Sequence, residues 1–257
     1  MGDTTGIEWT EHTWNPVQGC TKVSPGCKFC YMYQEKARYG QDPATLVRSS
    51  PQTFNKPIAT HGANSTKGEP GSYKWKPGGM VFTCSWSDWF HKDADPHRDD
   101  MWAIVRQRPD LYFQILTKRP QNVLERLPED WGAGYPNVWL GVSVEDQKRA
   151  DERIPLLRKI PAAVRFLSME PLIERVVLPS DLEMDWIIVG GESGPGARPM
   201  NPDWARIVRD FCDDKDIPFF FKQWGAFAPT GDRVGKKSSG CELDGLERKE
   251  FPRLRAA

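Results

Sequence analysis

The chain has no apolar run long enough to cross a bilayer. Its opening residues, 1–8, lack the basic and apolar regions of a secretory leader. A cytoplasmic protein with no membrane contact is therefore expected. Net charge is also missing, since 35 Lys and Arg balance 35 Asp and Glu. No global field draws the molecule to duplex DNA or an anionic surface, although a local basic groove stays open. Phosphate-binding signatures are absent too. Gly190-Gly191-Glu192-Ser193-Gly194-Pro195-Gly196 does not follow the G-x-G-x-x-G spacing, and Gly231-Asp232-Arg233-Val234-Gly235-Lys236-Lys237 is one residue short of a Walker loop with Lys in place of Ser or Thr. No internal repeat is visible. In the reducing compartment so expected, clustered cysteines favour a metal over a disulfide framework.

What is present is concentrated. Cys20, Cys27 and Cys30 lie within eleven residues, spaced C-x6-C-x2-C, on a segment broken by Gly19, Pro25 and Gly26. Such a loop can turn three thiolates toward one point, as a soft metal centre requires, and three ligands leave a position open for an exchangeable group. Three readings follow from the residues alone. One is a zinc site completed by Cys84, His91 or His12. The second is a set of unliganded buried cysteines, for which a Gly/Pro loop is poor material. The third is a [4Fe–4S] cluster with one iron open. The 11 tryptophans read first as core and rim packing and second as platforms for base stacking.

After the cysteine loop, residues 32–39 read as a short helix stopped by Gly40. Residues 41–79 are polar and rich in Gly and Pro, an irregular excursion or lid. From Met80 onward apolar runs alternate with helical patterns. Runs at 80–84, 111–116, 137–142, 164–167, 185–189 and 218–221 read as strands, with another near 14–17. Helices are expected at 96–107, around 123–127, around 150–157 and at 202–212. Alternation of this kind means parallel βα units. The fold class expected is α/β, a partial (β/α) barrel of about six to seven parallel strands, with a doubly wound open sheet as the alternative. Nearly every strand candidate ends in Ser, Asp, Lys, Glu or Gly. In a barrel those ends share one face, and that face carries the chemistry. The expected organisation is a barrel domain over 1–224 with the insertion at 41–79, and a charged extension over 225–257 folding back onto it.

Several distinct motifs follow one another along the chain: Trp14-Asn15-Pro16 with the cysteines, Ser87-Asp88 followed by Phe90-His91, Leu116-Thr117-Lys118-Arg119, Gly141-Val142-Ser143-Val144-Glu145, Leu167-Ser168 followed by Glu170-Pro171-Leu172, Gly190-Gly191-Glu192-Ser193-Gly194, and Phe221-Lys222-Gln223-Trp224-Gly225. Over most of its length outside 41–79 the chain resembles a phage- and prophage-associated family described as radical-SAM-like. It is more distantly similar to spore photoproduct lyase and its relatives, which act on DNA thymines. The radical S-adenosylmethionine (SAM) superfamily usually spaces its cysteines C-x3-C-x2-C, so the first gap here is wider.

The resemblance implies a [4Fe–4S] cluster on Cys20, Cys27 and Cys30, with SAM on the open iron and an external electron donor. It implies that Phe29 packs beside the cluster or the adenine. Ser85, Ser87 and Asp88 are suited to the SAM amino group, Lys118 to its carboxylate, and Ser143 or Glu145 to its ribose. Gly190, Gly191 and Glu192 are suited to backbone contact with adenine. Cys84 and Lys222, at strand ends on the same face, are the candidates for acting on substrate. Plainer roles stand beside these: helix caps for the Ser and Asp residues, a buried thiol for Cys84, and salt bridges for Lys118, Arg119, Glu145, Glu170 and Glu192. The substrate the resemblance implies is a nucleobase such as a modified thymine in phage DNA; a nucleotide, a flipped base or a peptide also fits. A monomer is expected. The competing class is a zinc-stabilised module that binds nucleic acid or protein without redox chemistry.

Overall fold

The computed structural model describes residues 5–252. One all-parallel sheet holds seven strands: β1 (His12–Trp14), β2 (Met80–Thr83), β3 (Tyr112–Thr117), β4 (Val138–Ser143), β5 (Val164–Met169), β6 (Trp186–Gly190) and β7 (Phe219–Gln223). They pair strictly in chain order. Among the described residues no ladder joins β7 to β1, so the sheet is a half-barrel, in agreement with the expected partial (β/α) barrel.

Side-chain alternation builds two apolar layers. Val81, Phe113, Ile115, Leu140, Val142, Leu167, Ile187, Val189, Phe219 and Phe221 face outward and join the buried cluster that includes helix residues Met101, Val105, Ile154, Leu157, Ala205 and Val208. Their neighbours Phe82, Trp139, Phe166, Trp186, Ile188 and Phe220 face inward and form a separate buried cluster with Trp9. A sheet whose two faces are both covered needs apolar residues at every position, which is how these strands read. Trp9 precedes β1, yet its ring lies 4.5 Å from Phe82, 6.4 Å from Phe166 and 6.2 Å from Trp186. Only a curled sheet lets one ring meet strands β2, β5 and β6 together. These aromatics plug one end of the half-barrel and leave the other, where the strands end, for the site.

Helices α1 (Tyr31–Arg38), α2 (Asp95–Gln107), α3 (Gln147–Arg158) and α4 (Pro202–Lys215) follow β1, β2, β4 and β6. Asp146 caps α3 by accepting from the Arg149 N–H at 2.8 Å, and Asn201 caps α4 through the Asp203 N–H at 2.9 Å. The helix expected around 123–127 is instead two 3-10 turns, Pro120–Asn122 and Leu124–Arg126. Pro120 and Pro128 bracket a stretch too short for an α-helix. The first strand lies earlier than expected. It ends at Trp14, ahead of Pro16, and Val17–Gln18 pairs antiparallel with Val47–Arg48.

Residues 41–79, the expected irregular excursion or lid, contribute nothing to the lining of the cavity described below. They pack outside β1, where Trp75 stacks on His12 at 4.4 Å and Phe54 accepts the Trp14 indole N–H at 2.9 Å. Fully buried Arg108 holds this segment by donating to Trp75 O at 2.9 Å, to Pro57 O and to Asp110.

The chain after Gly225 returns along β7. The Phe221 N–H donates to Arg248 O at 2.7 Å, the Trp186 indole N–H to Glu250 O at 2.7 Å, and Phe251 packs 5.3 Å from Trp186. This covers an edge that would otherwise present unpaired backbone. Residues 1–4 and 253–257, with Arg253 and Arg255, lie outside the described residues. Among the described residues no helix is long and apolar enough to cross a membrane.

Candidate functional site

The strand ends and the cysteine loop enclose a cavity of about 510 Å³. Cys20, Cys27 and Cys30 all line it, with Phe29 between them. A loop this broken by Gly and Pro cannot hold itself by regular structure, so its shape is imposed from the strand ends by side chains.

Arg119, just beyond β3, is the first anchor. It donates to Thr21 O at 2.8 Å and Thr21 Oγ1 at 2.9 Å, and its Nη1 lies 3.5 Å from the Cys20 sulfur. The same Nη1 pairs with Asp88 at 3.0 Å. Burial and the Asp88 carboxylate push the Cys20 thiol up to about 11, with Arg119 acting in the opposite direction. Below the loop, Gly19 exchanges bonds with the β2 end: its N–H donates to Trp86 O at 2.9 Å, and its carbonyl accepts from the Ser87 hydroxyl at 2.7 Å. At the far side Arg198 donates to Pro25 O at 3.0 Å while forking onto Glu192 at 2.6 and 2.8 Å. Its guanidinium also lies 5.5 Å from the Phe29 ring centre.

Most sequence candidates reach the cavity. Cys84, Ser85, Ser87, Asp88, Lys118 and Ser143 line it, as do Gly191, Glu192 and Lys222. Their hydrogen bonds sort them by role. The Asp88 carboxylate accepts from Phe90 N at 3.0 Å, Thr117 Oγ1 at 2.7 Å, Lys118 N at 3.0 Å and Arg119. Four donors use the acceptor capacity of a carboxylate, so Asp88 organises the β3 end and, through Arg119, the cysteine loop. Ser85 is held by Asn15, whose amide nitrogen donates to its hydroxyl at 2.9 Å. Lys118 reaches across to the Ser143 hydroxyl at 2.8 Å, and Lys222 pairs with Glu170 at 2.5 Å. Both ammonium groups stand in the cavity wall, which also holds Arg119 and Lys236.

Two candidates lie elsewhere. Glu145 does not line the cavity. It is fully buried, pairs with Arg153 at 2.8 Å and accepts from the Ser24 hydroxyl. Burial alone would lift its carboxyl, but Lys118, Arg153 and the Ser24 hydroxyl together hold it below the usual range. The suggested ribose contact is replaced by an anchor for the middle of the cysteine loop. Gly190 also sits outside the lining, beside Glu170 and Lys222. Gly191 lines the cavity at a point where another stretch of backbone passes close to it. A Cβ there would stand 1.9 Å from Trp224 O, so only glycine fits.

Cys84 is buried, its thiol pushed up by burial and by Asp88, and its backbone is left-handed with φ 54°. The proposed fourth zinc ligands fare differently. Cys84 stands in the cavity wall, but both His91 nitrogens are engaged, Nε2 with Thr21 Oγ1 at 3.0 Å and Nδ1 with the Asp93 N–H at 3.2 Å. His12 stacks on Trp75 and is not part of the lining. Among the described residues no three His, Cys, Asp or Glu side chains converge closely enough to hold a metal ion. The donor chemistry is nevertheless that of a soft centre: three thiols of one loop open to one cavity.

Arg198 went unseen in the sequence, where an arginine six residues past Glu192 carries no motif. Glu170 and Arg119 were visible only as salt-bridge formers. Their positions at strand ends were the available signal.

Comparison with known proteins adds the family. No curated protein and no solved structure matches the chain. A family model described as "Protein of unknown function (DUF5131)" matches residues 4–252, and the chain belongs to that family.

Proposed function

We propose that this family member is a radical SAM enzyme. One observation carries the reading: a single loop after the first strand of a parallel half-barrel turns Cys20, Cys27 and Cys30 to the cavity at the strand ends. The sequence resemblance to radical-SAM-like phage proteins and, more distantly, to spore photoproduct lyase supports it. The three cysteines would hold a [4Fe–4S] cluster. With SAM bound and an electron from an external donor, that centre supplies a 5′-deoxyadenosyl radical able to take hydrogen from a substrate.

The chain's own residues then have defined work. Arg119, Glu145 and Arg198 fix the loop from three sides, a supporting arrangement of the kind that orients metal ligands. The Lys118 ammonium, hydrogen-bonded to the Ser143 hydroxyl, would pair with the SAM carboxylate. Phe29, with the Arg198 guanidinium 5.5 Å from its ring centre, would present an apolar face to the cofactor. The aromatic plug around Trp9 closes the opposite end and keeps water from the barrel interior. Such thiols call for a reducing compartment, which fits a cytoplasmic, monomeric enzyme.

Metal analysis tests this directly. Protein purified and reconstituted without oxygen is expected to hold about four iron and four sulfide, because an open [4Fe–4S] cluster needs three cysteines. One zinc and no sulfide would instead favour a zinc-stabilised binding module.

A further inference from the structure

Of the three cavity thiols, Cys20 alone receives a charged donor among the described residues. Arg119 Nη1 lies 3.5 Å from its sulfur, within reach of an N–H···S hydrogen bond. The Cys27 sulfur meets the neutral Ser24 hydroxyl at 3.7 Å, and among the described residues no hydrogen bond reaches the Cys30 sulfur. The guanidinium is one half of an ion pair, since the same nitrogen stands 3.0 Å from Asp88. Both partners are buried, Arg119 at 6% and Asp88 at 4% exposure. Charges held there are poorly screened by water and salt, so each is felt at the sulfur beside them.

Anchoring the loop does not by itself require this arrangement. The two bonds from Arg119 Nη2 to Thr21 already fix the backbone next to Cys20, which leaves Nη1 to face a sulfur and a carboxylate. Asp88 in turn has no acceptor position left for a ligand. The Phe90 N–H and the Thr117 hydroxyl occupy Oδ1, and the Lys118 N–H and Arg119 occupy Oδ2. It is a fixed negative charge held against a fixed positive one, and the positive one touches a thiol of the loop.

We infer that Arg119 and Asp88 set the reduction potential of the centre held by the cysteine loop, the guanidinium raising it and the carboxylate lowering it, an inference that rests on the [4Fe–4S] reading above. Reduction adds one electron from an external low-potential donor, and no bond is made or broken. Hydrogen bonds and net charge at the cluster sulfurs are what the protein uses to set the potential. Arg119 stabilises the reduced form through the Cys20 sulfur. Asp88 opposes it and, by pairing with the guanidinium, limits how far Arg119 can act. Both are positioning residues, and the tuning enters at Cys20 rather than evenly over the three ligands.

The test is potentiometric titration of the reconstituted full chain, followed by the electron paramagnetic resonance signal of the reduced cluster. Arg119→Met is expected to cut the reduced-to-oxidised ratio at a fixed potential about tenfold, a downward shift of about 59 mV for one electron. Asp88→Asn, which keeps the shape and removes the charge, is expected to move the ratio by a similar factor in the opposite direction. Arg119→Lys, which keeps the charge, should stay closer to wild type than Arg119→Met. A loop that was merely loosened would shift both charge-removing variants the same way. Either of them decides the matter if the other takes up no cluster, because each sign is fixed in advance. Unchanged potentials, shifts of one sign in both, or loss of the cluster from all three variants overturns the inference and leaves the radical SAM reading standing. A wild type without iron and sulfide overturns both, and metal analysis distinguishes that outcome from the others.

Discussion

Arg119 places one nitrogen 3.5 Å from the Cys20 sulfur while the same nitrogen sits 3.0 Å from Asp88. The cysteine nearest β3 is thus tied through one guanidinium to a carboxylate that itself takes three further donors. Supporting residues of this kind typically change metal affinity by about 10–100-fold when removed. Arg119→Met is expected to lose cluster iron at least tenfold faster to a chelator than wild type, with an unchanged circular dichroism spectrum. Equal loss rates would show that Arg119 serves packing alone.

Glu145 gives a different outcome from a residue that merely touches a ligand. Its pairing with Arg153 is buried on both sides, with side-chain exposures of 0% and 5%. Breaking such a pair leaves a buried charge and costs about 3–5 kcal/mol. Glu145→Gln should lower unfolding free energy by that order in urea titration, before any cofactor is added. A change confined to SAM affinity would restore the ribose-contact role.

The adjacent glycines of the Gly190-Gly191 turn should separate sharply. Added methyl at Gly190 meets only ordinary contacts, whereas at Gly191 it runs into the Trp224 carbonyl. Gly190→Ala is expected to stay within about 1 kcal/mol of wild type in stability, and Gly191→Ala to lose about 1–3 kcal/mol or more from overpacking against immovable backbone. Similar melting temperatures for the two variants would contradict the backbone crossing.

Acid titration tests the anchoring of residues 41–79. Hydrogen bonds from Arg108 hold the Asp110 carboxyl below its usual range, against a smaller effect of burial. A depressed folded value means the stabilisation is fully present above the unfolded carboxyl pKa of about 3.9 and disappears as pH falls through the lower folded value. Asp110→Asn should therefore cost about 1–3 kcal/mol at pH 7, and the gap to wild type should close below about pH 4. A gap independent of pH would remove the charge from the explanation.

Strand–helix alternation was readable because inward and outward apolar layers make each parallel strand a continuous apolar run. The polar strand ends likewise marked the mouth of the cavity. Which neighbour each polar group would meet was not readable. Glu145 and Ser143 end the same strand, yet Ser143 faces the cavity with Lys118 while Glu145 turns under the cysteine loop to Arg153. Arg198 reaches Pro25 from 173 residues away, a contact created only when the half-barrel curls. The packing of 41–79 hid for a related reason. Its few large side chains, Phe54 and Trp75, are buried singly against β1 without any periodicity.

The most direct test of the central claim is anaerobic incubation of the reconstituted protein with dithionite and SAM, followed by quantification of 5′-deoxyadenosine. The account predicts that it forms with the wild type and is absent with Cys27→Ala, which should also lose the iron–sulfur absorbance. A wild type that holds zinc without sulfide, or that holds the cluster and yields no 5′-deoxyadenosine, would contradict it.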